Sequence, residues 1–91
     1  MCRNIRPLHN FEPSATDDEV HAAALQYVRK VAGTSKPSAA NQAEFDRAVT
    51  EVAVTTRRLL DELVTKAPKR DREVEAARAK ERSRQRFATP A

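Results

Sequence analysis

Between Val20 and Val31 the apolar positions recur at helical spacing: Val20, Ala24, Tyr27, Val28 and Val31 fall on one face. Thr16-Asp17-Asp18-Glu19 precedes them as a capping box. The Thr16 hydroxyl accepts from the Glu19 amide, and the Glu19 carboxylate accepts from the Thr16 amide. Asp17 and Asp18 suit the positive end of a helix dipole, and Arg29 and Lys30 the negative end. Gly33 offers the left-handed stop. The pattern predicts a first helix from about Asp17 to Ala32. After a turn at Thr34-Ser35-Lys36-Pro37, Ser38 or Asn41 caps a second helix, which runs to about Thr65 and is ended by Pro68. Its apolar line is Phe45, Val49, Val52, Thr56, Leu59 (with Leu60) and Leu63. The steps alternate between four and three, a period that suits a long packed seam. A third stretch, about Asp71 to Arg86, has Val74 and several alanines but no other large apolar residue before Phe87. It reads as a solvated helix that frays.

Residues 1–15 have neither a helical nor a strand period, and Pro7 and Pro13 interrupt them. Helix length gives this segment a role. At 1.5 Å per residue the first helix is about 24 Å long and the second about 40 Å. Joined by a short turn they must run antiparallel, and the second overshoots the first by roughly ten residues. The overshoot holds Arg57, Arg58, Leu59, Leu60, Leu63 and Val64. Residues 2–12, with Ile5, Leu8 and Phe11, are therefore expected to pack across the C-terminal half of the second helix. The fold class that results is all-α: an antiparallel hairpin of a short and a long helix. An ordered non-helical N-terminal segment braces it, and a basic C-terminal helix or tail follows. Residues 1–67 form the helical domain and 68–91 the tail.

Composition sharpens this picture. Sixteen alanines and a single glycine among 91 residues favour helix over sheet. Such a short chain buries a small core, and one cysteine cannot pair within it, so self-association is a natural route to stability. No apolar run is long enough for a membrane span or a signal-peptide core. The expectation is a cytoplasmic protein with no membrane contact, in which the lone thiol stays reduced. Residues 1–65 carry 8 Lys/Arg and 9 Asp/Glu, whereas 66–91 carry 9 and 4. The net charge of +4 thus belongs to the C-terminal segment.

Chemistry concentrates at the two ends. Removal of Met1 would leave Cys2 with an α-amine able to act as base. Arg3, Arg6 and Arg57 or Arg58 would lower its thiol pKa, and His9 would be a proton partner. Cys2 and His9 are thus the candidate catalytic residues, and Arg3, Arg6, Arg57 and Arg58 the candidate ligand-binding ones. The plainer reading of Cys2 is a small buried apolar residue. Cys2, His9 and His21 match no standard zinc spacing, so neither a metal nor another cofactor is expected. Residues 28–38 superficially resemble the turn of a helix-turn-helix. The following helix, however, is too long for a recognition helix and carries Glu44, Asp46 and Glu51 in its first half. Arg78, Lys80, Arg82, Arg84 and Arg86 are the candidate nucleic-acid residues. They alternate and spread around a helix, with only Phe87 for stacking, so a solubilising tail explains them as well.

Met1-Cys2-Arg3-Asn4-Ile5, followed by Asn10-Phe11-Glu12-Pro13, resembles the opening of a bacterial family of small uncharacterised proteins, domain of unknown function twenty-two seventy-seven. The likeness continues through Ala22–Val31, Lys36-Pro37-Ser38 and Arg70–Glu75. Ser14 departs from a second proline, and Ala32 and Thr34 from serine and an aromatic. The resemblance implies a bacterial, cytoplasmic, helical protein and carries no activity or functional residue. The reading from the residues is a non-enzymatic protein-interaction or self-associating module. The alternatives are a nucleic-acid-associated accessory protein acting through the basic tail and a thiol-based activity at Cys2.

Overall fold

A computed structural model describes residues 3–88. The chain is mostly helical. Helix α1 spans Asp17–Ala32, α2 Gln42–Glu62 and α3 Arg72–Ala88. The two-residue strands β1 (Phe11–Glu12) and β2 (Arg70–Asp71) join the chain's beginning to the start of α3. They pair in parallel, Phe11 opposite Arg70 and Glu12 opposite Asp71. The all-helical expectation therefore gains one short strand pairing.

Helix α1 starts on its capping box: the Glu19 amide donates to Thr16 Oγ1 at 3.1 Å, and the Thr16 amide to Glu19 Oε1 at 2.9 Å. It stops at Gly33, which adopts φ 75°, and the amides of Gly33 and Thr34 both donate to the Arg29 carbonyl. A 3₁₀ turn at Ala39–Asn41 follows Ser38, so Asn41 flanks α2 directly. Helix α2 ends three residues before the expected Thr65. Leu63 is already extended at ψ 133°, and its amide makes a last helical bond to the Leu59 carbonyl. The physical reason lies beyond it. Asn10 Nδ2 donates to the Ala67 and Pro68 carbonyls, and the Arg70 amide donates to the Asn10 carbonyl at 2.8 Å. These bonds draw residues 67–70 back toward the N-terminal segment. Asn10 itself has φ 65°, a conformation asparagine tolerates better than most residues.

The core lies between α1 and α2, where Ala24, Val28 and Val49 are buried and Leu25, Phe45, Ala48, Val52 and Ala53 pack around them. The start of α1 lies beside the end of α2: Arg57 Nη1 donates to the Ala15 carbonyl at 3.0 Å and approaches Asp17 at 3.6 Å. Two residues expected on the core face, Tyr27 and Val31, remain 50% and 70% exposed. A single partner helix covers only the centre of an apolar face and leaves its flank open.

The N-terminal segment meets the C-terminal half of α2 and, in addition, α1. Ile5 and Leu8 share a cleft with Ala23, Ala24 and Tyr27 of α1 and with Val52, Thr56 and Leu60 of α2. They lie along the groove between the two helices, and Leu8 and Phe11 also line a cleft with Leu60, Leu63 and Val64 at the end of α2. Leu59, Leu63 and Val64 stay exposed. Because α2 ends early, little overshoot is left to cover. Helix α3 continues from β2 as an exposed arm, and the molecule is flat, 50 × 40 × 15 Å.

Candidate functional site

Glu19 sits in the first turn of α1 with its side chain only 16% exposed. Besides closing the capping box, its carboxylate takes both arms of Arg72. Nη1 donates to Oε2 and Nη2 to Oε1, each at 2.8 Å. Arg6 Nη2 donates to Oε2 at 3.1 Å. Arg72 Nε donates to the Pro13 carbonyl at 2.7 Å. One carboxylate thus fastens the N-terminal segment, the start of α1 and the start of α3. The Arg72 hydrogen bonds first, then the Thr16 amide, hold the Glu19 pKa down at about 2 against the opposing effect of burial. The same pairing raises the Arg72 pKa.

Phe11 completes the clamp. The Arg70 and Arg72 guanidiniums lie over its ring, 5.7 and 5.8 Å from the centroid, at cation–π distance. The ring, Glu19 and the arginines line a cleft of about 290 Å³ that also takes in Arg6, Arg82 and Glu75. Pro7, Leu8 and Ala76 supply an apolar side.

A second feature lies at the turn end of α1 and α2. Tyr27, Val31, Phe45, Ala48 and Val52 line an apolar groove of about 630 Å³, whose only charged wall residue is Glu44. Tyr27 and Val52 also line the Ile5 cleft. The two clefts thus adjoin at Tyr27 and Val52, the N-terminal segment forming a wall of one and not of the other.

The residues singled out from sequence scatter. Cys2 lies outside the described residues. Arg3 is exposed. Arg6 belongs to the clamp, whereas half-buried His9 lines a different cleft, with Arg57, Asp61 and Lys69. Arg6 and Arg57 thus face different clefts. Arg57 is structural, donating to Asp61 at 2.8 Å as well as to the Ala15 carbonyl. Arg58 is exposed beside Thr55, Leu59 and Glu62. On α3, Arg78 pairs with Glu75 and Arg84 with Glu81. Arg86 lies over the Phe87 ring, Lys80 is exposed, and Arg82 reaches the arginine cleft. Asn10, Phe11, Arg70 and Arg72 were not anticipated as a unit with Glu19. The one local signal was Arg70-Asp71-Arg72 at the head of a helix. No group of three or more His, Cys, Asp or Glu side chains able to hold a metal occurs among the described residues. None of the described helices is long and apolar enough to cross a membrane.

Fold and site together define a small, mostly helical protein closed by a carboxylate–arginine clamp. The chain belongs to the DUF2277 family of uncharacterised conserved proteins, whose model matches residues 1–78. That span contains every clamp residue and ends within α3. No curated protein and no solved structure matches the chain.

Proposed function

We propose that this chain is a non-enzymatic interaction module that pairs with a second copy of itself through the open groove of its α1–α2 hairpin. The supporting observation is the groove: Tyr27 and Val31 stand exposed on α1 beside Phe45, Ala48 and Val52 of α2. A hairpin of two helices buries one stripe of each, and a second hairpin laid across it completes a four-helix arrangement. A two-fold interface places the same patch on both partners, so the patch must not repel itself. Glu44 is the only charged residue lining the groove, so a two-fold interface brings together no more than one pair of like charges. The setting we infer is the cytoplasm.

The test is mass in solution by light scattering across a concentration series. Twice the monomer mass is expected at high micromolar concentration, falling to the monomer in Val31→Lys and in Tyr27→Lys. Both side chains are at least half exposed, so neither change should unfold the chain. A wild-type chain that stays monomeric throughout, or variants that dimerise as well as wild type, would sink this reading.

A further inference from the structure

The geometry points to the arginine cleft as a binding site for a small organic phosphate, a dianionic phosphate ester or diphosphate on a short apolar body. Four guanidiniums, of Arg6, Arg70, Arg72 and Arg82, meet two carboxylates, Glu19 and Glu75, around this one cleft. The lining side chains therefore carry a surplus of two positive charges. Glu19 occupies Arg72 and Arg6, and Glu75 faces Arg78 at 3.7 Å. Arg70 and Arg82 have no carboxylate partner among the described residues. They approach from different elements, Arg70 from β2 and Arg82 from α3.

Arg70 is also preorganised. Its backbone amide is fixed by the Asn10 carbonyl, and its guanidinium rests over Phe11. A guanidinium held in place loses less freedom when it binds. Two separated forks match a phosphate, whose several oxygens accept from both at once; a carboxylate with two oxygens satisfies one fork fully. The volume of about 290 Å³ is at the small end for ligand pockets. Pro7, Leu8 and Ala76 would cover a short apolar portion of the ligand. Nucleic acid fits less well. Arg70 and Arg72 already lie over the Phe11 ring, so it offers no clear stacking face, and Glu19 and Glu75 interrupt any continuous track for successive phosphates.

The experiment is a titration of the full-length Val31→Lys chain with phenyl phosphate, inorganic pyrophosphate and an oligothymidine strand. Amide NMR shifts are followed at low salt. This variant is not altered in the cleft, so the result does not depend on whether the chain self-associates. Saturable shifts at Phe11, Arg70 and Arg82 with phenyl phosphate or pyrophosphate are expected. Arg70→Gln and Arg82→Gln should each weaken binding about tenfold, with the circular dichroism spectrum unchanged. Lys80→Gln, a charge-matched control outside the cleft, should bind as the parent does. No saturable shift with either phosphate overturns the proposal. So does an equal loss in Lys80→Gln, or an oligothymidine affinity that exceeds both phosphates and is lost with any α3 cation.

Discussion

Val49 and Glu19 hold their surroundings by opposite means. Val49 is 5% exposed and packs with Ala24 and Val28 in a dry contact that has no direction. Many neighbours share that contact, and each adds a little. Glu19 holds three chain segments through hydrogen bonds and ion pairs converging on two oxygen atoms. The α1–α2 pair is therefore distributed and indifferent to pH, whereas the clamp is concentrated and titratable. The two regions should fail differently.

The largest expected effect comes from the dry region. Val49→Asp places a carboxylate among Ala24, Val28 and their apolar neighbours. Burying an unpaired charge costs several kcal/mol, comparable with the whole stability of a small domain. Cooperative thermal unfolding, followed by far-ultraviolet circular dichroism, should be lost. The clamp should fail with it, since Glu19 rides on α1. A variant that kept the wild-type melt would show that the α1–α2 contact does not carry the fold.

Glu19→Gln breaks the comparison from the other side. Glutamine can still accept from the Thr16 amide, but it removes the counter-charge of Arg72 and Arg6. The Glu19 pKa lies at about 2 in the folded chain, below the ordinary unfolded value of about 4.3. The charged clamp is thus fully stabilising above about pH 4.5 and loses its contribution as pH falls toward 2. That displacement is worth at most about 3 kcal/mol. Arg72 and Arg6 are 32% and 56% exposed, so water screening brings the expected cost nearer about 2 kcal/mol. Urea unfolding should show the gap between wild type and Glu19→Gln at pH 6 and find it largely closed at pH 2.5. Exchange of the Arg70 amide, which donates to Asn10, should accelerate in the variant while amides near Val28 stay protected. A gap that did not depend on pH would show that the charge of Glu19 is not what stabilises the clamp.

The same contrast explains what could be read from the chain. Both boundaries of α1 were visible because Thr16, Glu19 and Gly33 bond to backbone groups within five residues of themselves. The buried line through Ala24, Val28 and Val49 was visible because burial imposes a period. The clamp was not. Glu19 and Arg72 are 53 positions apart, and no local pattern announces a partner at that distance. The capping box had already accounted for Glu19, and Arg72 read as one of many basic residues in a solvated segment. The early end of α2 escaped for the same reason, since Asn10 determines it from the far end of the chain. Tyr27 and Val31 follow the helical period, yet periodicity cannot say whether a partner helix is broad enough to cover them.

The smallest effect sharpens the comparison most. Gly33 adopts φ 75°, and a Cβ placed there would meet nothing within 4 Å. The cost of Gly33→Ala is therefore backbone strain alone, about 1 kcal/mol. Gly33→Asn should recover part of it, because asparagine tolerates the left-handed region and alanine does not. A steric origin would instead make the larger asparagine worse. Gly33 is also about 21 Å from Glu19 along α1 and touches none of the clamp. Its penalty should be the same at pH 6 and pH 2.5, and it should add to that of Glu19→Gln within a few tenths of a kcal/mol. If the two costs fail to add, the clamp and the turn end are coupled through α1, and the distinction between a distributed core and a concentrated clamp would have to be given up.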